Sequence, residues 1–196
     1  MKKTILTTAL FSLTLLAANA QDKSSDNHNV KFSIPEIALL DIESGNKSND
    51  ITLTVEAPTE AGESVVLDNA VDKSLWLNYT SIVNKNKSSK DNNRNVAVKI
   101  SNGTVPGGLN LNVQAQKASS DGKGDKGSPV GTTLTLSSND QDIITGIGSC
   151  YTGNGDGKGH QLVYSLELAK DGDAFGELDN DLDNTEITIT YTISDN

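Results

Sequence analysis

The residues best suited to chemistry gather in one short stretch, "GIGSCYTGNGDGKGHQL", residues 146–162. It holds the single cysteine, Cys150, and one of two histidines, His160. A cysteine nucleophile needs a base in reach and a third polarising group. The only other histidine is His28, in a polar start, and no protease-like signature surrounds Cys150. An isolated cysteine reads more simply as a small buried apolar side chain. A phosphate loop requires G-x-x-x-x-G-K-[ST] between a strand and a helix. Gly148 and Gly153 have the first spacing, but Asn154 stands where lysine is needed. The dinucleotide pattern G-x-G-x-x-G opens with Gly146 and Gly148 and then fails at Tyr151. Structural zinc takes about four nitrogen or sulfur ligands, and Cys150, His28 and His160 are too few. The glycines of 153–159 suit a tight reversal. The stretch therefore predicts a hairpin tip, with Cys150 packed on the incoming strand.

Oxygen ligands are plentiful elsewhere. The run "KDGDAFGELDNDLDNTE" carries Asp171, Asp173, Glu177, Asp179, Asp181, Asp183 and Glu186. Asp171, Asp173, Asp179, Asp181 and Asp183 are the candidate calcium ligands. The EF-hand register fails from either start, since Asn184 and Thr190 fall where glycine and glutamate belong, or Phe175 at the fifth position. A solvated acidic loop is the simpler reading. Nothing else in the chain calls for a cofactor. A glycan-binding face needs aromatic platforms. Trp76, opposite in phase to Leu75 and Leu77, is the one candidate, although a sandwich strand could equally bury it.

The elements that would position these residues repeat with period two, the signature of half-buried strands. Alternating runs are "VKFSI" (Val30, Phe32, Ile34), "ITLTVEA", "SLWLNYTSIV", "NVAVKI", "GLNLNVQA", "TTLTLSS", "HQLVYSLEL" and "EITITYTISDN". Their Thr, Val and Ile content suits a pleated surface. Between them lie turn-forming clusters such as "ESGNKSND" and "SSDGKGDKGSP". No segment shows a convincing helical period, and "AGESVVLDNAVDKSL" allows one short turn at most. About eight strands predict an all-β protein, an antiparallel β-sandwich of immunoglobulin-like type, with a barrel as the alternative.

The opening "MKKTILTTALFSLTLLAANA" has a basic start at Lys2 and Lys3, an apolar run, and Ala18-Asn19-Ala20 at its end. It reads as a secretory signal peptide over residues 1–20, leaving Gln21 as the mature start. The apolar run is shorter than a membrane-spanning helix needs. Residues 21–28 read as a disordered start and 29–196 as one domain, long enough to bury a core. Removing Lys2 and Lys3 from 16 basic residues leaves 14 against 26 acidic ones, a mature charge of 14 − 26 = −12. Such a surface repels nucleic acid and anionic membrane. One cysteine allows no internal disulfide, so stability must come from packing.

The mature start "NVKFSIPEIALLDIESG" sets an alternating strand before a proline and an apolar, Asp-containing run. "LWLNYTSI", "RNVAVKI", "LSSNDQDII" and "TITYTI" follow. This layout resembles that of the alternate chaperone–usher pilins, the colonisation-factor fimbriae, and more loosely the spore coat protein U group. The resemblance implies an incomplete sandwich whose groove takes the N-terminal strand of another subunit. Val30, Phe32 and Ile34 would then be the assembly strand, and self-assembly or another surface subunit the partner. The alternative within the residues themselves is that 30–34 form the first strand of their own domain. The expectation is an exported, non-enzymatic structural or surface protein, a fimbria-like subunit or adhesin. A secreted carbohydrate- or ligand-binding module, calcium-assisted, is the other reading.

Overall fold

The computed structural model describes residues 24–46, 48–86, 92–170, 172–180 and 185–195. Two compact units divide the chain, Met1–Ile34 and Pro35–Asn196. The predicted signal peptide lies outside the described residues. In the first unit the described residues carry no strand.

The second unit is antiparallel throughout. Among the described residues nine strands form it: β1 Ile37–Ser44, β2 Val71–Ile82, β3 Arg94–Asn102, β4 Leu109–Ala115, β5 Lys123–Pro129, β6 Leu134–Thr135, β7 Gln141–Tyr151, β8 His160–Leu168 and β9 Thr188–Asp195. Hydrogen-bonded neighbours run β6-β4-β8-β2-β7-β3-β9, with β1 added to β2 and β5 to β7. Among the described residues the only helical element is a 3-10 turn at Phe175–Glu177.

One hydrogen bond shows that this sheet folds over itself. The hydroxyls of Tyr164 on β8 and Tyr191 on β9 meet at 2.5 Å. β7 and β8 lie end to end on the same edge of β2, so the two tyrosines are offset along the strands. Tyr164 stands opposite Asp72, whereas Tyr191 stands opposite Val98 and through it Gln141, ten residues before Tyr151, the partner of Thr80. In a flat sheet that offset, eight residues along β2 and ten along β7, is about 60 Å, at about 3.3 Å per residue. The tyrosines can touch only if β8 and β9 face each other across two layers. β2 makes the passage, pairing with β8 from Val71 to Leu77 and with β7 at Thr80–Ser81. The predicted all-β antiparallel sandwich is thus the observed fold.

The core follows from alternation. Leu75, Leu77 and Tyr79 of β2, Val96, Val98 and Ile100 of β3, Leu111, Val113 and Ala115 of β4, and Leu162 and Tyr164 of β8 share one cluster. Strand β7 breaks the period, since Ile143 and Ile144 are adjacent and both fully buried. Its pairing with β3 slips by one residue there. Such a bulge turns two consecutive side chains inward. A second slip follows near Gly146, which has φ +72°.

Several expected strands differ. Residues 30–34 form no strand, and β1 begins only at Ile37. Among the described residues, 51–55 pair with nothing, and the ladder contact nearby is the isolated bridge Glu56↔Val66. "KGDKGSP", expected as loop, is strand β5. Its glycines permit this: a Cβ on Gly124 would collide with the Ser149 carbonyl, and its φ is +89°. The stretch 152–159 is not a hairpin tip. β7 and β8 do not pair with each other but follow one another along β2. Thr152 continues that edge, its N–H donating to Tyr79 O at 3.0 Å. Gly159, with φ +69°, lets the backbone approach Leu77 O, where a Cβ would not fit.

Candidate functional site

Three places bear on function: the apolar segment 30–34, an arginine clamp at the start of β1, and the buried Tyr79–His160 pair. Val30, Phe32 and Ile34 are 61%, 89% and 76% exposed. Isolated exposed apolar residues are ordinary, but three on one alternating face are not. Lys31 and Ser33 occupy the opposite phase.

Arg94 is the only arginine in the chain, and it is buried. It opens β3, where β1, β2 and β9 come together. Its Nε donates to Asp195 at 2.8 Å and its Nη2 to Glu36 at 2.7 Å. Nη1 donates to Ile37 O at 2.6 Å, Ser81 Oγ at 3.0 Å and Ile82 O at 3.2 Å. A planar guanidinium is suited to several fixed acceptors at once. One side chain thereby ties the start of β1, the end of β2 and the end of β9. The sequence offered a signal for it, a lone arginine opening an alternating strand, but not its role.

His160 is fully buried on β8. Its Nδ1 lies 2.9 Å from Gln116 O, a carbonyl that can only accept, so Nδ1 holds the proton. Its Nε2 lies 2.8 Å from the Tyr79 hydroxyl, which is also 2.5 Å from Lys126 O. The hydroxyl carries one proton and faces two acceptors, Nε2 and that carbonyl. The two rings stack with centroids 5.7 Å apart. Burial holds the His160 pKa below its ordinary value and pushes the Tyr79 hydroxyl far upward. Both imidazole nitrogens are therefore engaged in holding β8, β2, β5 and the 116 loop together.

Cys150 sits on β7 opposite Ser81 and Gly124. Burial, then the nearby Asp125 carboxylate, pushes its thiol up to about 11. No hydrogen bond joins it to His160 among the described residues. A buried thiol held in its protonated form is a poor nucleophile. Cys150 is the packed thiol expected.

In the acidic run, Asp171, Asp181 and Asp183 lie outside the described residues. Asp173 is described, and its Oδ1 accepts from Gly176 N at 3.1 Å. Asp179 is described as well. Among the described residues no three metal-ligating side chains gather. Trp76 lies on the outer face of β2, half-buried, opposite Glu43 of β1 and Gln161 of β8. Tyr151, at the end of β7 and half exposed, is the more open aromatic. It sits opposite Thr80 on β2 and Lys123 on β5. Nothing in the sequence distinguishes Tyr151 from the aromatics that alternate into the core; its exposure follows from its place at the end of β7.

No family model, curated protein or solved structure matches this chain.

Proposed function

We propose that this protein is an exported, non-enzymatic structural subunit that assembles through its N-terminal segment. The exposure of Phe32, flanked by Val30 and Ile34 in strict alternation, carries the reading. An extended segment of this pattern adds to a free sheet edge, backbone bonds giving affinity and alternate side chains giving register. Fully burying Val, Phe or Ile stabilises by about 1.5–3 kcal/mol each, which favours a covered state at high local concentration. The signal-peptide pattern at residues 1–20 supports export, and the acidic balance keeps the separate subunits soluble. The lack of an activated nucleophile at Cys150 supports a structural role over a thiol enzyme. The chain lacking residues 21–34 should stay folded and monomeric where the longer chain associates. If the shortened chain associates equally well, the proposal fails.

A second reading draws on Tyr151. An open aromatic on a sheet face, beside Thr80 and Lys123, suits stacking on a sugar ring. Screening against a glycan array, with Tyr151→Ala and Trp76→Ala as controls, tests it. No binding by the parent chain would remove it.

A further inference from the structure

Where β5, β7 and the two ends of the β2–β3 connection meet, a trough of about 510 Å³ opens to solvent. Sites for small ligands span about 300–1,000 Å³. Its floor is bare backbone, from Gly146 and Gly148 of β7. Apart from chain neighbours, no atom lies within 4 Å of where a Gly146 Cβ would stand. A Gly148 Cβ would stand 3.1 Å from Asp125 Cβ, so the glycine leaves room for that side chain. Glycines placed in this way let another molecule come close to the backbone.

The walls carry polar groups with unused capacity. Asp125 Oδ1 accepts from Gly127 N at 3.3 Å, while its Oδ2 has no hydrogen-bond partner among the described residues. Ser149 Oγ accepts from Val83 N at 3.1 Å and keeps its own proton to donate. Asn92 Oδ1 accepts from Asn93 at 3.4 Å, which leaves the two Nδ2 protons. Lys85, exposed, adds an ammonium. This mixture of one carboxylate and several donors selects a chemistry. An anion would meet Asp125, and a cation would meet Lys85. A sugar hydroxyl both donates and accepts, so neighbouring hydroxyls can give a proton to Asp125 and take one from Asn92 or Ser149. Tyr151 supplies an apolar face. Its chain neighbours Cys150 and Thr152 are buried, so its ring projects outward. It stands three residues beyond Gly148 on β7, about 10 Å at about 3.3 Å per residue. A ligand that reaches both is longer than a single sugar ring.

We infer that this trough binds a neutral oligosaccharide, with one ring stacked on Tyr151 and the next held over Gly146 and Gly148 by Asp125, Asn92 and Ser149. This rests on the reading of Tyr151 as a sugar platform. The platform gives contact with any ring face, and the trough adds the hydrogen bonds that distinguish one sugar from another.

The test titrates the protein with lactose, maltose, cellobiose and chitobiose, four neutral disaccharides, and follows backbone amides by NMR. At least one should shift Gly146, Gly148 and Tyr151 together. Asp125→Ala should weaken that binding about tenfold or more, as loss of a hydrogen bond to a charged group does. Asn92→Ala should weaken it about threefold or more, and Tyr151→Ala should weaken it too. Lys99→Ala, outside the trough on β3, should leave it unchanged. If a variant lowers Tm, the shifts at Gly146 and Gly148 in the unaltered chain decide. Binding that shifts Tyr151 but neither glycine, and survives Asp125→Ala and Asn92→Ala, overturns the trough and leaves the platform reading standing. Binding that Tyr151→Ala leaves intact overturns both. No shift with any of the four sugars overturns the trough, and a blank glycan array then removes the platform reading as well.

Discussion

Replacing Arg94 with alanine should be among the most damaging single changes in this domain. Its side chain is 4% exposed and meets five acceptors, on β1, β2, β9 and the residue just before β1. Breaking a buried charge pair by removing one partner costs about 3–5 kcal/mol. That range needs a discount, because the carboxylates of Glu36 and Asp195 are 41% and 47% exposed and can rehydrate. Against the discount stands Ser81, fully buried, whose hydroxyl loses its donor. A loss of about 3 kcal/mol follows. In a domain of this size it lowers Tm by about 6–12 °C. Trp76, the only tryptophan, gives a fluorescence signal for urea unfolding. The exposed pair Lys99–Asp140 is the control, with its side chains 34% and 57% exposed. Lys99→Ala should cost within about 0.5 kcal/mol. A double-mutant cycle of Arg94→Ala with Asp195→Asn should show coupling of about 0.5–3 kcal/mol. A loss below about 1 kcal/mol for Arg94→Ala would refute the reasoning. It would mean that water serves the freed acceptors as well as the guanidinium does.

Acidification should destabilise the fold through His160. Its folded pKa lies below the free value of about 6.5, so the unfolded chain takes up the proton first. Stability is then full above pH 6.5 and falls as pH drops from there through the folded value. His160→Gln should flatten Tm over that window; an unchanged slope would contradict the assignment. Cys150 should resist a disulfide reagent at pH 8 in the native state and react on unfolding, because burial raises its thiol to about 11. Rapid native labelling would place the thiol at the surface. Tyr164→Phe and Tyr191→Phe should each cost about 1 kcal/mol and less than additively together, since they break one interlayer bond. Additive losses in chemical denaturation would deny that bond.

The strands with clean alternation were legible: β2, β3, β4, β8 and β9 each stand where apolar residues recur with period two. β7 was not, because its bulges put Ile143 and Ile144 on one face. β5 was hidden by composition, since its glycines look like loop and serve instead to let β7 approach. Residues 51–55 show the opposite case: the pattern of a strand is there, but no ladder forms among the described residues. The Cys150–His160 pair invited a catalytic reading that spacing alone could not dismiss. Only the hydrogen bonds to Gln116 and Tyr79 show both imidazole nitrogens engaged. Arg94 was equally opaque, for its five acceptors come from positions 36, 37, 81, 82 and 195, which the fold alone brings together.

The central claim is that Val30–Ile34 pairs with another copy of the chain. Amide hydrogen exchange of Lys31, Phe32 and Ser33, measured in separated monomer and in associated material, tests it most directly. The account predicts rapid exchange in the monomer and strong protection on association. Equal, rapid exchange in both states, with association intact, would contradict it.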